Sequence, residues 1–377
     1  MYWRSQLNTT INRRLLAQLF VHPELAESLT LSQWTEMLTV LRHEKLLARY
    51  ALLIKSDAGF SRLPEFVQRH CNSAITLAER HAKQVHFELG QLRDTLNATT
   101  DTWLVLKGAA YTASGYSVAM GRVYNDIDIL VDKPHLAIVE RQLIMSGWMP
   151  QEIDDYDEAY YRQWTHEIPA LQHGYRGTVM DLHHNLVPPV SGRAPDMSLL
   201  FEHIVMTDAG IPVLALPGMA LHSAIHLFFN DDFAASFRDL TDLYLMFDDM
   251  TSDQWQTAYT LATQTGFATE LALAIYSTSE MFQISLTAPQ SHFVSAHTNP
   301  RQARWLCHAM YSKHPFVITP SQWIYTTYAW LRGHVLKMPA KTLLYHLSMK
   351  AYRFCVERIL GKHIFTKQDK GTDRVMP

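Results

Sequence analysis

Asn125-Asp126-Ile127-Asp128-Ile129-Leu130-Val131 alternates carboxylates with branched apolar residues. In a strand, residues two apart share a face. Asp126 and Asp128 therefore stand on one side, while Ile127, Ile129 and Val131 point into a core. Two adjacent carboxylates repel each other unless a cation lies between them. The natural cation for an all-oxygen pair is Mg²⁺, which commonly shares its ligands with substrate phosphates.

Upstream, residues 103–106 form a short apolar run that reads as a buried strand and ends at Lys107-Gly108. Residues 109–113 read as one or two helical turns. Lys107 supplies positive charge for phosphates, and Gly108 lets backbone N–H groups approach them at a helix start. Arg122 has the fork geometry to clamp a phosphate. Downstream, Val179-Met180-Asp181-Leu182-His183 reads as a strand with Asp181 and His183 on one face. If it lies beside the Asp126 strand, Asp181 completes a triad able to hold two Mg²⁺ ions and to take a proton from an attacking hydroxyl.

The rest of the chain sets limits on this site. It has 377 residues, 47% hydrophobic and 18% charged, enough for a large core and two or three domains. A net charge of −3 argues against a general nucleic-acid binder. Cys71, Cys307 and Cys355 are dispersed and lack CxxC spacing, as expected of a reduced cytoplasmic protein. No signal-type run opens the sequence, and no apolar stretch suits a membrane span.

Four regions emerge from periodicity. Residues 1–98 read as helical, including one long helix or two abutting ones from Pro64 to Leu96. Residues 99–216 hold the strands: 127–131, then a helix from Pro134 closed by Gly147, a hairpin of 168–172 and 178–182, and an edge strand over 211–216. Residues 217–290 return to apolar-striped helices over 219–229, 237–247 and 255–281. Residues 291–377 are helical again from Trp323 to about His363, broken at Pro339, with a polar tail over 366–377 expected to fray.

Other motifs have plainer readings. His222 and His226 share a helical face, yet Ser223 stands where a zinc-protease helix needs Glu. They read instead as cleft or sheet-facing histidines, with Arg238, Asp239 and Asp242 forming a buried ionic network across the helical junction. His222 and Arg238 are secondary candidates to reach the nucleotide. His183 approaches the carboxylates, whereas His184 packs. Residues 154–158 form an acidic loop before a helix. The basic stretch 332–362, interleaved with Tyr345, Tyr352 and Phe354, reads first as a surface helix with snorkelling cations. Its other reading is a docking surface for anionic lipid, an acidic polymer or RNA.

Leu106-Lys107-Gly108-Ala109-Ala110-Tyr111, Tyr116, Arg122 and residues 126–131 together resemble a bacterial family of uncharacterised nucleotidyltransferases, often numbered five, within the polymerase-β-like superfamily. Asp181-Leu182-His183 matches a later signature, and Leu221-His222, His226, Arg238-Asp239 and Asp242 a helical one. The likeness is good over residues 100–250. It implies an α+β fold: a small mixed sheet between N- and C-terminal helical regions, with a helical domain closing the cleft. It also implies transfer of a nucleoside monophosphate from an NTP, ATP among them, to an acceptor. Asp126, Asp128 and Asp181 would be the catalytic metal ligands, and Lys107, Gly108 and Arg122 the phosphate contacts. The superfamily's usual Gly-Ser pair is Gly108-Ala109 here, which removes a hydroxyl. Three readings follow: a transferase acting on a small molecule or sugar, a nucleotide-binding regulator of a polysaccharide system, and a transferase acting on tRNA or protein.

Overall fold

The structure is a computed structural model that describes residues 11–56, 59–230, 232–310 and 320–360. The tail over 366–377 and the extension of the last helix to His363 lie outside the described residues. The fold is α+β, a mixed sheet between helical regions, as expected. Its seven strands are β1 (Trp103–Leu106), β2 (Asp126–Val131), β3 (Trp148–Pro150), β4 (Leu171–His173), β5 (Val179–His183), β6 (Ile204–Met206) and β7 (Pro212–Leu214). Their order is β3-β4-β5-β2-β1-β7-β6. At the centre, β2 runs antiparallel to β1 and parallel to β5. The parallel pair needs a crossover, supplied by the chain between Asp132 and Thr178. β1 and residues 127–131 of β2 are wholly buried, as unbroken apolar runs and inward-facing alternations require.

Four helices precede the sheet: α1 (Arg13–Val21), α2 (Leu31–His43), α3 (Leu47–Lys55) and α4 (Glu65–Asn97). The last is a single 33-residue helix whose N-cap is Pro64. Within the sheet region lie α5 (Lys107–Ser114), α6 (Leu136–Met145), α7 (Asp155–Trp164) and α8 (Ser198–Phe201). Asp154 caps α7 by accepting from the N–H groups of Tyr156 and Asp157. Then follow α9 (Leu216–Phe229), α10 (Ser236–Asp249), α11 (Ser252–Gln264), α12 (Ala268–Phe282), α13 (Ala288–His297), α14 (Pro300–Met310), α15 (Pro320–Lys337) and α16 (Ala340–Leu360). Every residue of α9 except His226 is buried. A helix apolar on all sides belongs in the middle of a core, and α9 packs against α10, α11, α12, α5 and β7.

Two expectations change, and one strand is new. The strand near residue 211 is not an edge: β7 lies between β1 and β6, and β6 is the edge. Pro212 is tolerated because it opens the strand, where its missing N–H costs least. The helical stretch 255–281 is two helices, because Gly266 takes φ 78° between α11 and α12. β3 was not anticipated, being three residues with only Trp148 buried.

Buried ion pairs tie distant segments together. Arg13 Nη2 lies 2.9 Å from Glu44 Oε1. The same guanidinium donates to the carbonyls of Met310 (2.6 Å) and Ala234 (3.0 Å). At the other end, His346 of α16 rests against Tyr156 and Tyr160 of α7. Arg353 donates to both oxygens of Asp154. Among the described residues no helix is long and apolar enough to cross a membrane.

Candidate active site

The strand register assembles the carboxylate face. Asp128 is the Cα partner of Asp181 across the parallel β2–β5 pair, and Asp126 pairs with Val179. Side chains two apart on β2 and opposite on β5 share a face, so Asp126, Asp128 and Asp181 stand together. Asp128, Asp181 and His183 each bring a ligand atom within 4.8 Å of the others. Burial, with Asp128 and Glu167 adding their charge, pushes the Asp181 carboxyl up to about 7. Burial and then Asp128 also raise that of Asp126, against the pull of Lys107. A face whose carboxylates resist ionisation is short of positive charge, and this donor set fits a divalent cation.

Asp128 is the exception. Burial opposes its charge, yet Lys107 and His183 hold its carboxyl well below the ordinary range. Lys107 Nζ lies 2.6 Å from Asp128 Oδ1, and His183 Nε2 lies 3.0 Å from the same oxygen. Lys107 can do this because β1 ends at Leu106 and the chain turns at once into α5. That turn holds Lys107 at φ 47°, a left-handed conformation that costs a β-carbon-bearing residue ~1 kcal/mol or more. Burial would lower the lysine's affinity for its proton, but Asp128 overrides it and raises it.

Gly108 and Arg122 meet behind that turn. A β-carbon on Gly108 would lie 2.7 Å from Arg122 Nε and 3.2 Å from the Tyr124 ring. Arg122 itself is bonded to Asp242 and lies over the Tyr111 ring at 5.2 Å. The other oxygen of Asp242 takes Arg49 Nη1 at 2.6 Å, with both side chains almost fully buried. The ionic network expected on α10 is therefore present, but its partners are Arg49 and Arg122. Arg49 gave no signal in the sequence, because a lone arginine inside an apolar helix stands out only once its partner is known. Among the described residues, Arg238 pairs with its neighbour Asp239, at 3.4 Å.

Burial works against the charged form of both α9 histidines. Burial first and then the Lys107 charge push His222 down to about 3, and the same two causes hold His226 well below its usual value. Both lie close enough to Lys107 and Asp128 to feel their charges. His183 is buried with its two ring nitrogens facing different carboxylates, Asp128 and, at 3.3 Å, Glu167. Glu167 was not anticipated: it precedes β4 and reaches the site through an isolated antiparallel bridge to His183. Beside Asp126, a cavity of about 170 Å³ is lined by His81, Gln84 and Glu88 of α4 together with Tyr124 and Asn125.

The structure thus presents a mixed sheet carrying a three-carboxylate face, with a lysine at the adjoining strand-to-helix turn. The chain matches the family described as uncharacterised nucleotidyltransferase over residues 30–283, two thirds of its length, and belongs to that family. Membership supports nucleotidyl transfer as the general activity. Comparison with curated proteins gives no match.

Proposed function

We propose that the protein is a Mg²⁺-dependent nucleotidyltransferase. It moves a nucleoside monophosphate from an NTP to a hydroxyl or phosphate oxygen of a small-molecule or sugar acceptor. The acceptor oxygen bonds to the α-phosphorus, the bond to the bridging oxygen breaks, and pyrophosphate leaves. The observation that carries this reading is the in-register pairing of Asp128 with Asp181 beside Lys107.

Asp126, Asp128 and Asp181 would hold the cation. Mg²⁺ bound there offsets triphosphate charge and makes an acceptor hydroxyl easier to deprotonate. Lys107 exchanges Asp128 for a phosphate oxygen when nucleotide enters. The first N–H groups of α5 would meet that oxygen at Gly108, whose missing β-carbon lets Arg122 and Tyr124 pack against the turn. His183 keeps Asp128 oriented by donating to Oδ1. Arg122 stays tied to Asp242 and contributes its field rather than a free clamp, with Arg49 anchoring the same carboxylate. His222 and His226 give a wall that adds no competing cation.

The test is pyrophosphate release and transfer of label from an α-labelled NTP into a small-molecule extract, with Mg²⁺. Asp128→Asn and Asp181→Asn should each lower turnover by about a hundredfold or more. Equal turnover in either variant overturns the assignment. Nucleotide binding with no pyrophosphate release under any acceptor favours a regulatory binding protein instead.

A further inference from the structure

Next to the carboxylate face lies a second cluster of different chemistry. His166, Glu167 and His183 each bring one ligand atom within 4.8 Å of the others. His183 Nδ1 lies 3.3 Å from Glu167 Oε2, and His166 Nε2 lies 3.9 Å from that same oxygen. The two imidazole rings are 5.3 Å apart. His166 Nδ1 is buried and has no hydrogen-bond partner among the described residues. The backbone fixes this grouping. Glu167 and His183 face each other across an antiparallel bridge, and the His166 carbonyl accepts from the N–H groups of His184 and Asn185.

His183 is the informative member. It is 2% exposed, and its Nε2 faces Asp128. When Nε2–H donates to Asp128, Nδ1 faces a carboxylate oxygen, a pairing that either a proton on Nδ1 or a metal ion between the two satisfies. A carboxylate behind one ring nitrogen is the usual support for a histidine that ligates metal through the other. Two imidazoles and one carboxylate form a donor set for zinc, cobalt or manganese rather than for magnesium. Ligand atoms around a tetrahedral ion at ~2.1 Å sit about 3.4 Å apart. Two of the separations, 3.3 and 3.9 Å, lie close to that spacing, and the His166 and Glu167 side chains are 24% and 25% exposed.

We propose that His166, Glu167 and His183 bind one divalent transition-metal ion of the zinc and cobalt class, beside the oxygen-rich face and joined to it through His183 and Asp128. The site is read by its ion, so it stands or falls independently of nucleotidyl transfer.

Cobalt(II) is the probe, added to the full-length protein in excess Mg²⁺ and followed by its visible ligand-field bands. One equivalent should bind, Mg²⁺ should not displace it, and X-ray absorption at the cobalt edge should report two imidazole donors. His166→Ala and Glu167→Gln should each weaken cobalt binding by about ten- to a hundredfold, while Asp126→Ala leaves it intact. Competition by Mg²⁺, an all-oxygen coordination shell in the wild type, or wild-type affinity in folded His166→Ala overturns the proposal. So does loss of cobalt binding in Asp126→Ala, which would place the ion on the carboxylate face.

Discussion

Lys107 Nζ and Asp128 Oδ1 are 2.6 Å apart, and the aspartate is almost completely buried. An incoming metal ion must therefore compete with an ammonium group already seated on one of its ligands. Lys107→Met removes that competitor. In the absence of nucleotide, Mn²⁺ affinity by titration calorimetry should rise. Affinity for a fluorescent NTP analogue should fall about tenfold or more, because a charge-assisted contact worth ~1.5–3 kcal/mol is lost. A variant that binds both ligands as the wild type does would show that Lys107 serves neither.

Gly108→Ala asks for space that is taken. The new methyl would meet Arg122 Nε at 2.7 Å and the Tyr124 ring at 3.2 Å. Overpacking of this kind costs about 1–3 kcal/mol. The expected outcome is a lowered melting temperature together with weakened nucleotide binding, since the strained turn at Lys107 is displaced with it. Wild-type melting and binding would show that Arg122 simply moves aside.

Asp242→Ala leaves Arg49 and Arg122 buried with no anion between them. Stranding buried charge costs about 3–5 kcal/mol, so chemical denaturation should show a loss of that order. Asp239→Ala should cost much less, because its partner Arg238 lies only at 3.4 Å and is better reached by water. Similar losses in the two variants would contradict the network as described.

The docking of α16 should be sensitive to acid. Burial pushes His346 down to about 4, with Lys350 adding to the effect. A histidine whose affinity for its proton is depressed in the fold stabilises it fully above its ordinary value near 6.5. That contribution is lost as pH falls through about 4. His346 Nδ1 and Tyr156 Oη are 3.1 Å apart, and protonation removes the ring's capacity to accept. Protection of the α16 amides against hydrogen exchange, corrected for the intrinsic pH dependence, should fall between pH 6.5 and 4 before that of the sheet does. His346→Gln should flatten that dependence; an unchanged profile would count against it.

The carboxylate-bearing strand pair was legible because each strand carries its own signature. Alternation fixes which face Asp126 and Asp128 share, and the short apolar run before Lys107-Gly108 marks the turn. Even the hairpin leading into Asp181 announces itself, through its Gly-rich turn. Glu167 was not legible, because it belongs to no periodic segment and is set opposite His183 by an isolated backbone bridge. Arg49 was hidden for a related reason: its role is set by Asp242, 193 positions away, and no local pattern encodes that distance. The placement of β7 inside the sheet depended on β6, whose three residues are half-exposed or exposed and carry no burial pattern.

Arg13 lies outside the stretch shared with the family, which starts at residue 30 and ends at 283. So does Met310, whose carbonyl it holds, while Glu44 and Ala234 lie inside. Evolutionary kinship and mechanical integrity therefore follow different borders in this chain. A fragment cut to the shared stretch would keep every proposed catalytic carboxylate and still carry an orphaned Glu44 in its interior. Engineering or truncation of this protein should respect the guanidinium of Arg13 as its outermost rivet.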